Sequence, residues 1–158
     1  MISLGIIWNS AQEYKEEIIY DLSKRVEVTD CFDLYLGEDY KDFVRDIYDS
    51  ENMEPWKINH KLAYMDLHPS ANISVIYFEF DETESFYHPM KRKEVYKNLE
   101  GTKMFIREKY KEKVENYTFD IVFHTADSLE EFKNCHTIVK KYLEERKVKE
   151  AQESKNYT

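Results

Sequence analysis

Residues 117–127 read YTFDIVFHTAD, and the interpretation of the whole chain starts from this stretch. Apolar residues fill positions 119, 121 and 123, a pattern typical of a mostly buried strand. Ser128 and Glu131 follow with the spacing of a capping box, in which both side chains accept hydrogen bonds from free backbone N–H groups at a helix start. The sequence therefore predicts a strand, a tight turn and a long helix.

The rest of the chain alternates strand and helix patterns. Strands are predicted at residues 2–8, 25–36 and 72–81, and helices at residues 11–24, 38–49, 56–66, 88–114 and 129–147. This order predicts an α/β domain with a single sheet of about four to five strands flanked by helices. We expect one domain over residues 1–147 and a polar, flexible tail over residues 148–158.

Composition excludes several classes of protein. With 42% hydrophobic and 35% charged residues the chain is globular, and its net charge of −9 argues against broad nucleic-acid binding. No stretch is long and apolar enough for membrane insertion, and the first residues lack a secretion signal, so we expect a cytoplasmic protein. The two cysteines, far apart in sequence, are interpreted as reduced, partly buried residues rather than metal ligands.

The turn after the strand at residues 117–127 contains the first candidate site. His124 could exchange a proton or contact a phosphate, Thr125 could donate a hydroxyl hydrogen bond, and Asp127 could orient the imidazole. These three are the candidate catalytic residues. The alternative is that Thr125 and Asp127 only shape the turn and that His124 is an ordinary half-buried histidine.

A second candidate site is a group of cationic residues in the middle of the chain. Lys57, His60 and Lys61 fall within one turn of a predicted helix, and Arg45 lies on the helix before it. In an acidic chain, such nitrogen donors suit a phosphate or a carboxylate, so these four are the candidate ligand-binding residues. The alternative is a solvated surface patch.

Other charged segments point less clearly to a site. Residues 88–93, HPMKRK, would start a helix with basic residues, which the helix dipole disfavours unless an anion binds. Asp81, Glu82 and Glu84 follow a strand and could hold Mg²⁺, the cofactor that phosphoryl transfer would need, although we favour an ordinary acidic turn. The histidine and cysteine spacings match no metal motif, so no metal ligands are assigned.

Several short segments resemble, in order, a small α/β domain found in bacterial proteins of cell-surface polysaccharide (capsule or teichoic-type) synthesis. They are IIWNSA at residues 6–11, EVTD at residues 27–30, residues 43–48, Lys57 with His60, and His124-Thr125. Such domains are often joined to, or encoded beside, glycosyl- or phosphotransferase-type domains. The resemblance implies a role in handling a phosphorylated or nucleotide-linked sugar.

Three functions are considered, the third being a regulatory domain that binds a nucleotide without catalysing a reaction. The first is a cytosolic domain that binds a phosphate-bearing small molecule, a nucleotide or a sugar phosphate, with phosphoryl- or nucleotidyl-transfer or hydrolysis chemistry. The second is a non-catalytic, acidic protein that binds a protein partner, such as an immunity protein, an antitoxin or a phage-encoded inhibitor. Convergence of the cationic residues and His124 in one pocket would favour the first function.

Overall fold

A four-stranded antiparallel sheet forms the centre of the fold in the computed structural model, which describes residues 1–81, 84–117 and 120–156, the last three by backbone alone. Its strands are β1 (Ile2–Ile7), β2 (Glu27–Tyr35), β3 (Asn72–Glu79) and β6 (Phe123–Thr125). Their spatial order is β2-β3-β1-β6. A separate antiparallel hairpin consists of β4 (Ser85–His88) and β5 (Lys93–Tyr96). The predicted α/β fold with one main sheet is confirmed.

The apolar strands β1 and β3 lie side by side in the middle of this sheet. Ile6 of β1 pairs with Val75 of β3 on one side and with His124 of β6 on the other. A strand with neighbours on both sides and elements packed above and below must be apolar on both faces. This explains why β1 and β3 are near-continuous apolar runs rather than alternating ones.

Helices cover the sheet in two groups. They are α1 (Lys15–Ser23), α2 (Tyr40–Ser50), α3 (Pro55–Met65), α4 (Lys97–Tyr110) and α5 (Leu129–Asn156), with short 3₁₀ helices at Asn9–Tyr14 and Gly37–Asp39. α2 packs against α3 and α5, and α1 packs against α4. Asp21 on α1 links these last two helices, because it accepts hydrogen bonds from Lys109 and Tyr110 of α4. Within the described ranges, no helix is both long and apolar enough to cross a membrane.

The hairpin replaces the first part of a predicted helix. Residues 88–96 were expected to be helical, but Phe86 pairs with Val95 across β4 and β5, and Val95 is buried. The loop between the two strands closes where Arg92 N–H donates to His88 O at 2.7 Å, with Arg92 at φ 55°. The basic residues around Pro89 therefore form a hairpin turn rather than a helix start, and α4 begins at Lys97.

The last strand is shorter than residues 117–127, from which we started. Thr118 and Phe119 lie outside the described residues, and β6 spans only Phe123–Thr125. The Asp120 carboxylate accepts hydrogen bonds from the backbone N–H groups of Val122 (3.1 Å) and Phe123 (3.4 Å). Such local side-chain bonds compete with strand pairing, and here they form a turn before the strand begins.

The capping box at the start of α5 is confirmed, with one change. Glu131 N–H donates to Ser128 Oγ at 3.1 Å, and the Glu131 carboxylate accepts from Asp127 N–H at 2.7 Å, one residue before the usual position. At its other end α5 continues to Asn156, past the boundary expected near Lys147. Residues 148–156 contain neither glycine nor proline, so the sequence has no strong signal to end the helix there.

The two cysteines differ in environment. Cys135 on α5 is buried, as predicted, whereas Cys31 is exposed, so the prediction of partial burial is wrong for Cys31. Cys31 lies on β2, which is an edge strand of the sheet. An edge strand of an antiparallel sheet can present one face to water, which explains the exposure.

Candidate functional site

A cleft of about 960 Å³ lies between the connection from α2 to α3, the turn of the β4–β5 hairpin, α4, and the turn from β6 to α5. Among the described residues, seven cationic side chains and seven carboxylates line it. The cleft is therefore electrically balanced, and the net charge of −9 lies elsewhere on the molecule. An anion that approaches this cleft meets less repulsion than it meets over the rest of the surface.

The end of α2 places a carboxylate in the cleft. Asn52 has a φ of 61°, and its N–H donates to Asp49 O at 3.1 Å, while Met53 N–H donates to Tyr48 O at 3.0 Å. These two bonds form a Schellman motif with asparagine at the left-handed position, a conformation that asparagine adopts more readily than most residues. Glu51 is consequently the C-cap residue, and its side chain lies against β6.

The imidazole of His124 lies in the cleft wall, with Glu51 as its carboxylate neighbour. His124 Nε2 and Glu51 Oε2 are 2.7 Å apart, and the ring packs edge-on against Tyr48 with ring centroids 5.3 Å apart. The two atoms are close but not aligned as a hydrogen bond, so neither has a hydrogen-bond partner among the described residues. The thiol of Cys135 lies beside them, and the three ligand-type atoms are all within 4.8 Å of one another.

Asp127 has a different set of partners from the one that the sequence suggested. Its carboxylate accepts hydrogen bonds from Lys103 Nζ at 2.8 Å to both oxygens, from Thr125 Oγ1 at 2.7 Å and from Lys91 Nζ at 3.3 Å. We predicted that Asp127 would orient His124. In the structure Asp127 instead fixes lysines from α4 and the hairpin, and Glu51 is the carboxylate next to the imidazole.

A buried cluster of charges surrounds Asp127. We call this group of three lysines and three carboxylates the ionic cluster. It consists of Lys91, Lys93, Glu100, Lys103, Asp127 and Glu131. Burial alone would raise the pKa of Asp127, but the ammonium groups of Lys103 and Lys91 hold that pKa well below its usual range. Because its charges are balanced, the ionic cluster offers little net positive charge to a ligand.

Lys61 on α3 is a buried cation that forms no ion pair with a carboxylate among the described residues. Its Nζ donates to Asp120 O at 2.8 Å and to Tyr48 Oη at 3.2 Å, both uncharged oxygens, and only 4% of the residue is exposed. Burial lowers the pKa of Lys61 to about 8, and the Asp120 carboxylate only partly opposes this effect. That carboxylate lies 3.0 Å from Arg107 Nη2. An anion near Lys61 would therefore be attracted by a poorly neutralised ammonium group.

Four of the seven predicted site residues come together in the cleft. Lys57 and Lys61, four residues apart on α3, line it together with His124 and Asp127. The convergence brings segments that are far apart in sequence to one concave surface. Thr125 is buried behind Asp127, to which it donates, and does not reach the cleft surface.

The other two predicted ligand-binding residues lie elsewhere. Arg45 is exposed on α2, and His60 is half-buried with its ring 4.9 Å from that of Tyr64. Neither is among the described residues that line the cleft. Spacing on α3 does not separate His60 from the two lysines, since residues three and four apart share a face; the His60 ring lies instead beside Tyr64, four residues further along the helix.

Sequence reasoning missed several residues of the site. Lys103 falls on the apolar stripe of α4 between Leu99 and Ile106, and a lysine at such a position is a signal of a buried ion pair. Glu51 and Cys135 carried no comparable signal. They meet His124 only through the packing of α2, β6 and α5.

The described residues of the acidic segment considered for Mg²⁺, Asp81 and Glu84, are not among those that line this cleft. Glu84 lies 3.0 Å from Lys97 Nζ, and Asp81 lines a separate shallow depression near Met1. Glu82 lies outside the described residues. Binding of Mg²⁺ by this segment stays a prediction.

Comparison with known proteins adds no family to this description. No protein-family model matches the chain, and no curated protein matches it in sequence.

Proposed function

We propose that the cleft binds a phosphate-bearing small molecule, a nucleotide or a sugar phosphate. The observation that carries the proposal is the pair Lys57 and Lys61, which line the cleft on one face of α3. Lys61 contributes a buried ammonium group whose hydrogen bonds go to uncharged oxygens. A phosphate would supply the anionic partner that this ammonium group lacks among the described side chains.

The energy of such an interaction favours a charged ligand over a neutral one. A hydrogen bond between charged groups contributes about 1.5–3 kcal/mol, roughly twice the value for neutral groups. Lys61 is almost excluded from water, so its attraction for a phosphate is screened less than that of a surface lysine. Lys57 and the hairpin residue Arg92 also line the cleft and would contact the outer oxygens of the ligand.

The proposed chemistry is transfer or hydrolysis at phosphorus. Catalysis of this kind depends mainly on positioning and on stabilising the charge that develops on the transferring oxygens. The lysines would serve that purpose, and His124 lies in the same wall, where its imidazole would exchange a proton with the reacting group. The resemblance to polysaccharide-synthesis domains supports a nucleotide-linked sugar as the first substrate class to test.

Calorimetry with paired ligands tests the binding. We would titrate the protein with a nucleoside diphosphate and a sugar phosphate, and then with the same nucleoside and sugar without phosphate. Binding is expected only for the phosphorylated compounds. The variants Lys57→Met and Lys61→Met are each expected to weaken it by roughly 10-fold or more, the loss of one charge-assisted hydrogen bond.

His60→Ala is the matched control, because His60 lies between the two lysines on α3 but outside the described lining of the cleft. It is expected to leave affinity unchanged. Equal affinity for ligands with and without phosphate, or unchanged affinity in both lysine variants, would refute the proposal. For the chemical step, His124→Ala is expected to abolish turnover of the bound compound, and normal turnover would exclude a role for the imidazole.

The partner-binding function is the alternative outcome of these experiments. A protein that binds none of the phosphorylated compounds, yet forms a stable complex with a basic protein, would belong to that class.

A further inference from the structure

We propose that Glu51, His124 and Cys135 bind one zinc ion in the wall of the cleft. The three residues come from three elements that are distant in sequence: the C-cap of α2, the middle of β6 and the second turn of α5. This inference goes beyond phosphate binding and does not rest on it; with zinc bound, His124 would be a metal ligand and would not also exchange the proton proposed above.

The spacing of the three ligand atoms fits a tetrahedral ion after a small adjustment. A carboxylate oxygen, an imidazole nitrogen and the Cys135 sulfur lie within 4.8 Å of one another. Zinc ligand distances of 2.0–2.3 Å and tetrahedral angles place such donor atoms about 3.3–3.8 Å apart. The Glu51 and His124 atoms, 2.7 Å apart, are closer than this and would have to separate by roughly 0.6 Å or more, whereas the widest separation that the structure allows exceeds it by about 1 Å; small rotations of the Glu51 and His124 side chains can supply both shifts.

Two of the three atoms are buried and without a hydrogen bond. Glu51 Oε2 and His124 Nε2 have almost no contact with solvent, and neither finds a hydrogen-bond partner in the part of the chain that the structure describes. Leaving a buried polar group unpaired costs about 1–3 kcal/mol, and more for a charged one, so such groups call for an explanation. A cation between the two atoms would satisfy both.

A simple ion pair between Glu51 and His124 is the competing explanation. The 2.7 Å separation suits an ion pair, but the two groups are not aligned for the hydrogen bond that a buried ion pair needs to offset its desolvation. An ion pair also leaves the neighbouring thiol of Cys135 without a role. A metal site uses all three groups.

The donor atoms decide which metal fits. One nitrogen, one sulfur and one oxygen form a borderline-soft set that suits Zn²⁺, whereas Mg²⁺ and Ca²⁺ prefer oxygen ligands alone. Cys135 is fully buried, while Glu51 and His124 line the cleft, so a fourth coordination position would face the cleft. Three protein ligands with one open position are typical of catalytic rather than structural zinc.

Titration of metal-free protein with Co²⁺ tests the site, because Co²⁺ replaces Zn²⁺ and is visible by absorption. We expect one equivalent to bind, with the visible bands of four-coordinate cobalt and a near-ultraviolet sulfur-to-cobalt charge-transfer band. Added Zn²⁺ should displace the cobalt and remove both signals. Binding of no cobalt, or the spectrum of six-coordinate cobalt without a sulfur band, would overturn the proposal.

Variants assign the ligands. Cys135→Ser should remove the charge-transfer band and weaken binding more than about 100-fold, beyond the 10–100-fold cost of losing an outer-shell partner. Cys31→Ser is the matched control and should change neither property, since Cys31 is exposed on β2. Glu51→Gln should weaken cobalt binding but retain the sulfur band, a readout that stays informative if Cys135→Ser fails to fold. A sulfur band that survives in folded Cys135→Ser, or cobalt affinity unchanged in Glu51→Gln, would refute this ligand set.

Discussion

Lys61→Met gives the sharpest test of how the cleft is built, because it removes a buried ammonium group and keeps most of the side-chain volume. Burial lowers the pKa of Lys61 from 10.5 to about 8. Between about pH 8 and 10.5 the unfolded chain therefore keeps a proton that the folded protein has released. Stability rises with pH wherever the unfolded state binds more protons, so Lys61 makes the free energy of unfolding increase with pH in this range.

The size of the effect follows from the two pKa values. Lys61 alone should add about 1.3 kcal/mol to the free energy of unfolding between pH 7 and pH 9, with a slope that peaks at about 1.2 kcal/mol per pH unit near pH 9. Since only 4% of the residue is exposed, screening by solvent reduces this value little. The absolute stability of Lys61→Met is a poorer readout, because Asp120 O and Tyr48 Oη lose a donor at about 1–3 kcal/mol each.

Urea denaturation at pH 7, 8 and 9 measures the effect, with the fluorescence of the buried Trp8 as the probe. The unfolding free energy of the wild-type protein minus that of Lys61→Met should rise between pH 7 and pH 9 by the amount given above. Lys147→Met is the control: this side chain on α5 is 63% exposed and should retain the wild-type pH dependence. Parallel pH dependence in the wild-type protein and Lys61→Met would show that the ammonium group is not desolvated as the structure implies.

Three further substitutions probe packing, one at the cleft and two elsewhere in the fold. Asp127→Asn should lower the free energy of unfolding by about 3–5 kcal/mol, because it leaves the buried ammonium group of Lys103 without its nearest carboxylate. A loss below about 1 kcal/mol, measured by urea denaturation, would show that the carboxylate of Asp127 does not pair with Lys103 as described. Since the folded pKa of Asp127 lies below the unfolded one, its contribution is present above about pH 4 and is lost as the pH falls further, so Asp127→Asn should depend less on pH there. Gly5→Ala should cost about 1–3 kcal/mol, because its Cβ would lie 2.6 Å from the ring of Phe123. Gly101→Ala in α4 meets open space and should stabilise by about 0.5–1 kcal/mol; thermal unfolding that shows the same sign for both glycine variants would refute this account.

Much of the fold could be predicted because buried helices and strands place apolar residues at regular intervals in the sequence. The helices α2 and α3 and the strand β3 lie within a few residues of their predicted bounds, since each buries apolar side chains at the spacing of its own geometry. The β4–β5 hairpin could not be predicted in this way. Its strands are only four residues long, and Arg92 takes the left-handed conformation in a loop without the usual Asn-Gly or Asp-Gly signal.

The candidate site was partly accessible to the same reasoning. Lys57 and Lys61 could be placed on one face because they are four residues apart on a helix, and His124 could be placed in the strand that leads into α5. The proximity of Glu51, His124 and Cys135 could not be predicted from the sequence, because it depends on how separate elements pack. Spacing within one element predicts a shared face, but contacts between elements need the tertiary structure.

The position of β1 has a consequence for biosynthesis. β1 ends at Ile7, yet its two neighbours in the sheet begin only at Asn72 and Phe123. A ribosome therefore releases the central strand before either partner exists, and the edge that pairs with β6 stays open until residues 123–125 have been made. Such edges promote aggregation, so chains truncated before residue 120 are expected to aggregate more readily than the chain of residues 1–158.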